Sequence, residues 1–139
     1  MPATILAQLP HRSPFLLVDR VVARQPGVQV VAEKLVSVAD PLVSRPVGGP
    51  AELPATLLLE MLAQAGGFLD GDSLHDQEIF LAGIQDARFH GAARAGDRLR
   101  LEVQPEAAFG AISRIRGEVR CGDRLLCSAR LLLRRGRTP

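Results

Sequence analysis

The sequence contains no tryptophan and no tyrosine, and five phenylalanines are its whole aromatic complement. Bases of single-stranded nucleic acid are held by stacking on aromatic rings, so a stacking platform is not expected here. Lysine is almost absent too: Lys34 stands alone, and every other basic residue is arginine. With a net charge of +2, the chain lacks the basic excess of a nucleic-acid partner. The arginines gather late, at Arg114, Arg116, Arg120, Arg124, Arg130, Arg134, Arg135 and Arg137. A solvated strand face is the first reading of that cluster; recognition of phosphate or of an acidic partner is the second.

Cysteine is equally scarce. Cys121 and Cys127 are too few for a disulfide framework and lack the spacing of a zinc site. Both lie in strand-like surroundings and read as small, buried or half-buried thiols. No metal and no cofactor is expected. No apolar run reaches the ~18 residues of a membrane span. The first residues, MPATILAQLPHR, lack the basic start and apolar core of a signal peptide. The expectation is a soluble cytoplasmic protein that neither crosses nor binds a membrane.

What is present is apolar residues at 47% and charged ones at 23% over 139 positions. That is globular composition, enough for one domain, residues 1–139, with a core of its own. Residues 14–23 (PFLLVDRVVA) read as a helical turn or strand leading into a strand. Pro26-Gly27 marks a turn, and residues 28–38 (VQVVAEKLVSV) form the second arm of a hairpin. Residues 40–54 are so rich in proline and glycine that no regular element is expected there, only an ordered loop or lid.

Pro54 suits the first turn of a helix, where its missing N–H costs nothing. Residues 56–69 (TLLLEMLAQAGGFL) are apolar around nearly the whole circumference, which predicts a buried helix. Thr56, Glu60 and Gln64 interrupt it at four-residue intervals and therefore share one face. Such a stripe implies water, a ligand or a polar interface, and a carboxylate in a core helix points to function. After the polar segment 70–78, strands dominate. Residues 79–89 form one, and a turn-rich passage runs from His90 to Gly96. Alternation then places Leu99, Leu101 and Val103 inward. Arg114, Arg116, Glu118 and Arg120 point outward, opposite Ile115, Gly117 and Val119, while Cys127, Ala129, Leu131 and Leu133 share a face. The Cys121–Arg124 turn joins the last two strands as a hairpin. The fold class is α+β: strands, a loop, one central helix, then an antiparallel meander.

Four segments carry a resemblance: LPHRSPFLLVDRV at 9–21, LPATLLLEMLAQAGG at 53–67, FLAGIQDARF at 80–89 and AGDRLRLEV at 95–103. Together they resemble the (3R)-hydroxyacyl-[acyl-carrier-protein] dehydratases of fatty-acid synthesis. The resemblance implies a hot-dog fold, an antiparallel sheet wrapped around one long helix. It also implies a homodimer whose sheets join, sometimes assembled as a trimer of dimers, acting on acyl thioesters of acyl carrier protein or coenzyme A. The implied chemistry removes water from a 3-hydroxyacyl thioester. It needs a base for the α-proton, an acid for the hydroxyl and a donor for the enolate-like oxygen.

Carried over by position, the helix carboxylate is Glu60 and the nearby glutamine is Gln64. The amide that meets the thioester oxygen falls on Ala55, after Pro54 and beside Thr56, where the family has glycine; an alanine keeps the N–H. Arg88, Phe89, Arg94 and Arg98 are the expected contacts to the acyl chain, the phosphopantetheine or the acidic carrier. The family's loop histidine, in Gly-His-Phe-Pro, falls on Pro46 within Arg45-Pro46-Val47-Gly48. Proline has nothing to titrate. A one-residue slip gives Arg45, which stays protonated and is a poor base.

Three functions therefore follow from the resemblance. One is a dehydratase-like protein that binds acyl thioesters without the loop histidine. Another is a thioesterase in which Glu60 activates water. The third is a non-catalytic subunit, or one that pairs with a histidine-bearing relative. Of the three histidines, His11 reads as structural and His75 as exposed. His90 follows Ala87-Arg88-Phe89, next to the expected acyl path, and a catalytic role is its lesser reading.

Overall fold

The computed structural model describes residues 17–44, 47–70 and 78–136. His11, Arg45, Pro46 and His75 lie outside the described residues, as does the first half of the 9–21 signature.

The elements run β1 (Arg20–Gln25), β2 (Gln29–Leu35), β3 (Glu52–Leu53), α1 (Ala55–Gly66) with a 3-10 turn (Gly67–Asp70), β4 (Glu78–Phe89), β5 (Ala93–Arg94), β6 (Arg98–Phe109), β7 (Ile112–Cys121) and β8 (Arg124–Gly136). Six strands form one antiparallel sheet in the order β1-β2-β6-β7-β8-β4. α1 crosses one face of it, and this is the arrangement the resemblance implies. No helix among the described residues is long and apolar enough to cross a membrane.

Alternation decides which face meets the helix. Leu99, Leu101 and Val103 of β6, Ile115 and Val119 of β7, and Cys127, Ala129, Leu131 and Leu133 of β8 are all buried. From the other side, Leu58, Leu59, Met61, Leu62 and Ala65 of α1 fill the same core, with Phe68 of the 3-10 turn. Each of the buried Leu, Ile, Val, Met and Phe side chains contributes about 1.5–3 kcal/mol by leaving water. Gly117 sets the spacing between the layers: a Cβ there would lie 3.0 Å from Leu62 Cδ2 and 3.2 Å from Val103 Cγ1. The β1–β2 hairpin turns at Gly27, whose φ of 76° is a conformation that favours glycine.

Two expectations change. The loop 40–54 is not wholly irregular, because Glu52–Leu53 pairs with Ala93–Arg94 as a small two-stranded sheet. Ser44 also bridges to Glu52. That pairing likewise puts a strand inside the passage from His90 to Gly96. β6 runs beyond the Leu99, Leu101 and Val103 alternation, through Pro105 to Phe109. Its neighbour β2 pairs no further than Val103, so Pro105 lies where β6 keeps only one of its two partner strands, β7. The register with β7 slips just beyond, between Pro105 and Ala107.

A second bulge bears on the site. Between Gln85 and Arg88 the register of β4 against β8 shifts, and Asp86 takes a φ of 51°. Its carboxylate accepts a hydrogen bond from Arg130 Nη1 at 3.1 Å. The extra residue turns the end of β4, where Phe89 and His90 follow.

Candidate active site

A cavity of about 600 Å³ opens at the N-terminus of α1. Its floor is apolar: Leu53, Leu58 and Ala93, all buried. Pro54 and Ala55 bring the start of the helix to its wall, and Phe89 and His90 close it from the end of β4. Ser44 and Glu52 complete the polar side. The β3–β5 pairing is what brings these together, since it fastens the long loop beside the residues that follow β4.

The helix start is chemically distinctive. Pro54 precedes it, no side chain caps it, and its first turn holds no acidic residue. The amides of Ala55 and Thr56 have no acceptor within the helix, and they carry the positive end of its dipole. An acyl oxygen that gains negative charge during reaction is stabilised by such donors.

Glu52 Oε1 lies 3.5 Å from Arg94 Nε, so the carboxylate at the cavity is balanced by a rim arginine. The Arg94 backbone is fixed in turn: its N–H donates to Asp97 Oδ2 at 2.9 Å. The His90 N–H donates to Leu126 O at 2.8 Å, pinning the residue to the start of β8.

The expected site residues divide. Ala55 and Phe89 line the cavity, Arg94 reaches its rim through Glu52, and Thr56 is exposed on the first helical turn. Glu60 is half-buried on α1 and is not among the residues lining the cavity. Gln64 is 2% exposed, and its Oε1 accepts the backbone N–H of Leu17 at 2.8 Å. The stripe that reads as facing water or ligand is thus turned inward at Gln64, where the side chain satisfies a buried amide. Arg88 lines a depression with Arg116, Ser128 and Arg130 instead, and Arg98 is exposed at the start of β6. The structure adds Glu52, Leu53, Leu58, His90 and Ala93 to the cavity. Two-residue strands leave no period in a sequence, so the pairing that gathers them has no sequence signal.

A second cavity, of about 520 Å³, lies at the other end of α1 between Gly66, Leu69, Ile79 and Ile115, and holds none of the expected site residues. Among the described residues no cluster of three or more His, Cys, Asp or Glu is placed to hold a metal ion. Cys127 is buried, which pushes its thiol up to about 11 and keeps it out of nucleophilic chemistry at neutral pH.

Residues 9–130 match the FabA-like domain family. The chain is 43% identical over 130 residues to the 3-hydroxyacyl-[acyl-carrier-protein] dehydratase FabZ of Chloroflexus aggregans (strain MD-66 / DSM 9485), covering 92% of this chain and 90% of that one. It is 37% identical over 133 residues to the FabZ protein of Acidovorax sp. (strain JS42), covering 92% of each. Among solved structures, the dehydratase heterocomplex ApeI:P from Xenorhabdus doucetiae superposes with a TM-score of 0.80 at 23% identity, over 94% of this chain and 90% of that one. The smu.793 protein of Streptococcus mutans UA159, bound to acetyl CoA, superposes at 0.63 with 11% identity, over 86% and 89%. At such low identity the two structures show the shared hot-dog fold.

Proposed function

The chain belongs to the FabA-like family, and on that premise we propose that it binds a 3-hydroxyacyl thioester at the N-terminus of α1 and takes part in removing water from it. The observation that carries this reading is the cavity at an uncapped helix start. The thioester oxygen is received by the first-turn amides, at Ala55 and Thr56, and the acyl chain lies against Leu53, Leu58 and Phe89. Glu60 is the carboxyl group that donates a proton to the departing hydroxyl.

Glu60 does not line the cavity of its own protomer, so the complete site takes it from a second copy. β4 supplies the joint. It is a twelve-residue strand at one edge of the sheet, with Phe80, Ile84 and Phe89 exposed. A long apolar edge of this kind is a template for pairing, and joining two copies there fuses the sheets into one. Arg98, beyond the Gly96-Asp97 turn and past Arg94 with its Glu52 partner at the rim, offers positive charge to the phosphate of a phosphopantetheine arm or to an acidic carrier.

Residue 46 being proline supports a second reading, in which the chain pairs with a relative that carries the loop histidine; the ApeI:P neighbour is itself a dehydratase heterocomplex. The test follows enoyl absorbance and free thiol in parallel, with 3-hydroxybutyryl-pantetheine as substrate. Enoyl formation that is lost in Glu60→Gln supports dehydration. Thiol release lost in the same variant, with no enoyl product, replaces the reading with hydrolysis.

A further inference from the structure

Proline at position 46 leaves the α-proton without a base from the loop, and the cavity itself contains one titratable ring. We propose that His90 is the group that takes the C2 proton, a catalytic role displaced from the loop to the end of β4. This inference rests on the thioester-binding reading above and names the residue that reading leaves unassigned.

Four observations converge on it. His90 lines the same cavity as Ala55 and Leu58 and is solvent-exposed, so the residue stands at the mouth of the space where the first-turn amides would hold the thioester oxygen. It is the sole histidine among the described residues, and neutral imidazole is the side chain suited to proton abstraction near neutral pH. Its backbone is fixed by the N–H bond to Leu126 O, and the next residue, Gly91, packs close to Leu126, where a Cβ would stand 3.2 Å from Leu126 Cδ2. Lastly, the bulge at Asp86 adds one residue to β4 just before this point, and bulges commonly re-aim side chains beside sites of chemistry.

The charged neighbours leave this role to His90. Glu52 of β3 lines the cavity but is engaged by Arg94 of β5. Arg88 of β4 lines the depression with Arg116, Ser128 and Arg130. Beyond Leu126, Arg124 of β8 faces Asp97 at 3.9 Å.

The step balances. The neutral imidazole accepts the C2 proton, and the electrons of that C–H bond form the C2–C3 double bond by way of the enolate. The C3–O bond breaks, and the hydroxyl leaves as water with the proton of the Glu60 carboxyl. Between turnovers solvent carries the proton from the imidazolium back to the carboxylate, so neither group is consumed and nothing is oxidised or reduced.

The experiment uses the full chain and its His90→Gln and His90→Ala variants, with 3-hydroxybutyryl-pantetheine. Calorimetry reads binding, enoyl absorbance reads turnover across pH, and thermal unfolding verifies that each variant is folded. The expected result is unchanged Kd and unchanged folding, with kcat lower by about 10²–10⁴-fold. The pH profile of the wild-type rate should differ from that of the residual rate in the variants, because the imidazole that serves as base is gone. Variants that keep wild-type turnover overturn the proposal. So do variants that lose binding and turnover together, because His90 is then a wall of the cavity. A wild-type protein that binds the thioester but forms no enoyl product also overturns it, while leaving the binding reading intact. Failure of the wild-type protein to bind overturns both.

Discussion

Lys34 Nζ lies 3.1 Å from Asp40 Oδ2, with both side chains largely withdrawn from solvent. Lys34 occupies the core-facing register of β2, in line with Val30, Ala32 and Val36, and also approaches Asp19 Oδ1 at 3.6 Å. Asp40 in turn accepts the Leu42 N–H at 2.9 Å, and its backbone bonds to Ser37 and Val43 shape the turn that leads to Ser44. The ion pair therefore ties β2 to one wall of the candidate site.

Burial pushes the Asp40 carboxyl up, but the Leu42 N–H and the Lys34 ammonium outweigh it and hold the group below its ordinary value. A depressed carboxylate stabilises the fold above its unfolded pKa, and that contribution is lost as pH falls through the folded value. Stability should therefore drop in acid, below about pH 4. Lys34→Met should cost about 1–3 kcal/mol at neutral pH by stranding the carboxylate and should flatten the acid dependence. Urea unfolding at several pH values checks both.

The close approach at Gly117 predicts a packing limit. Gly117→Val pushes against Leu62 and Val103 and should destabilise by about 1–3 kcal/mol through overpacking. Gly122→Asn, in the β7–β8 turn at a φ of 58°, should be far milder, since asparagine tolerates that conformation. Thermal unfolding of the two variants side by side reads the difference.

The two thiols should separate kinetically. Cys127 is buried with its pKa pushed up to about 11, while Cys121 is half-buried. At neutral pH a thiol reagent should label Cys121 promptly and Cys127 only at the rate of unfolding. Equal labelling rates in the native protein would contradict the packing of β8 against α1.

If the β4 edge joins two copies, charge there should separate them. Ile84→Arg should shift the protein toward monomer in light scattering, and the site should lose turnover with it if, as proposed, the second copy supplies Glu60. An unchanged mass would place the joint elsewhere.

Much of this architecture was legible in the sequence. The alternations at 98–103, 114–120 and 127–133 assign their faces because each strand has one face on a helix and one on solvent. The buried helix was legible from its apolar circumference. Lys34 was not, although its place in the Val30, Ala32, Val36 series is a signal: a lone cation in an apolar register needs partners, and Asp19 and Asp40 provide them. The carboxylate on α1 was legible as a polar interruption, but the role of Gln64 was not, since its partner is a backbone amide 47 residues away. The cavity was least legible. It depends on the two-residue pairing of β3 with β5 and on a bulge at Asp86, and neither produces a sequence period.

The central claim, reversible removal of water at a site that includes Glu60, is tested most directly by oxygen-18 exchange. Wild-type protein and Glu60→Gln are incubated with 3-hydroxybutyryl-pantetheine in oxygen-18 water, and the intact thioester is weighed by mass spectrometry. The account predicts that the wild-type protein places the heavy oxygen at C3 of intact thioester, and that Glu60→Gln does so about 10²–10⁴-fold more slowly. Heavy oxygen found only in free 3-hydroxybutyrate, with the thioester unlabelled, would contradict it.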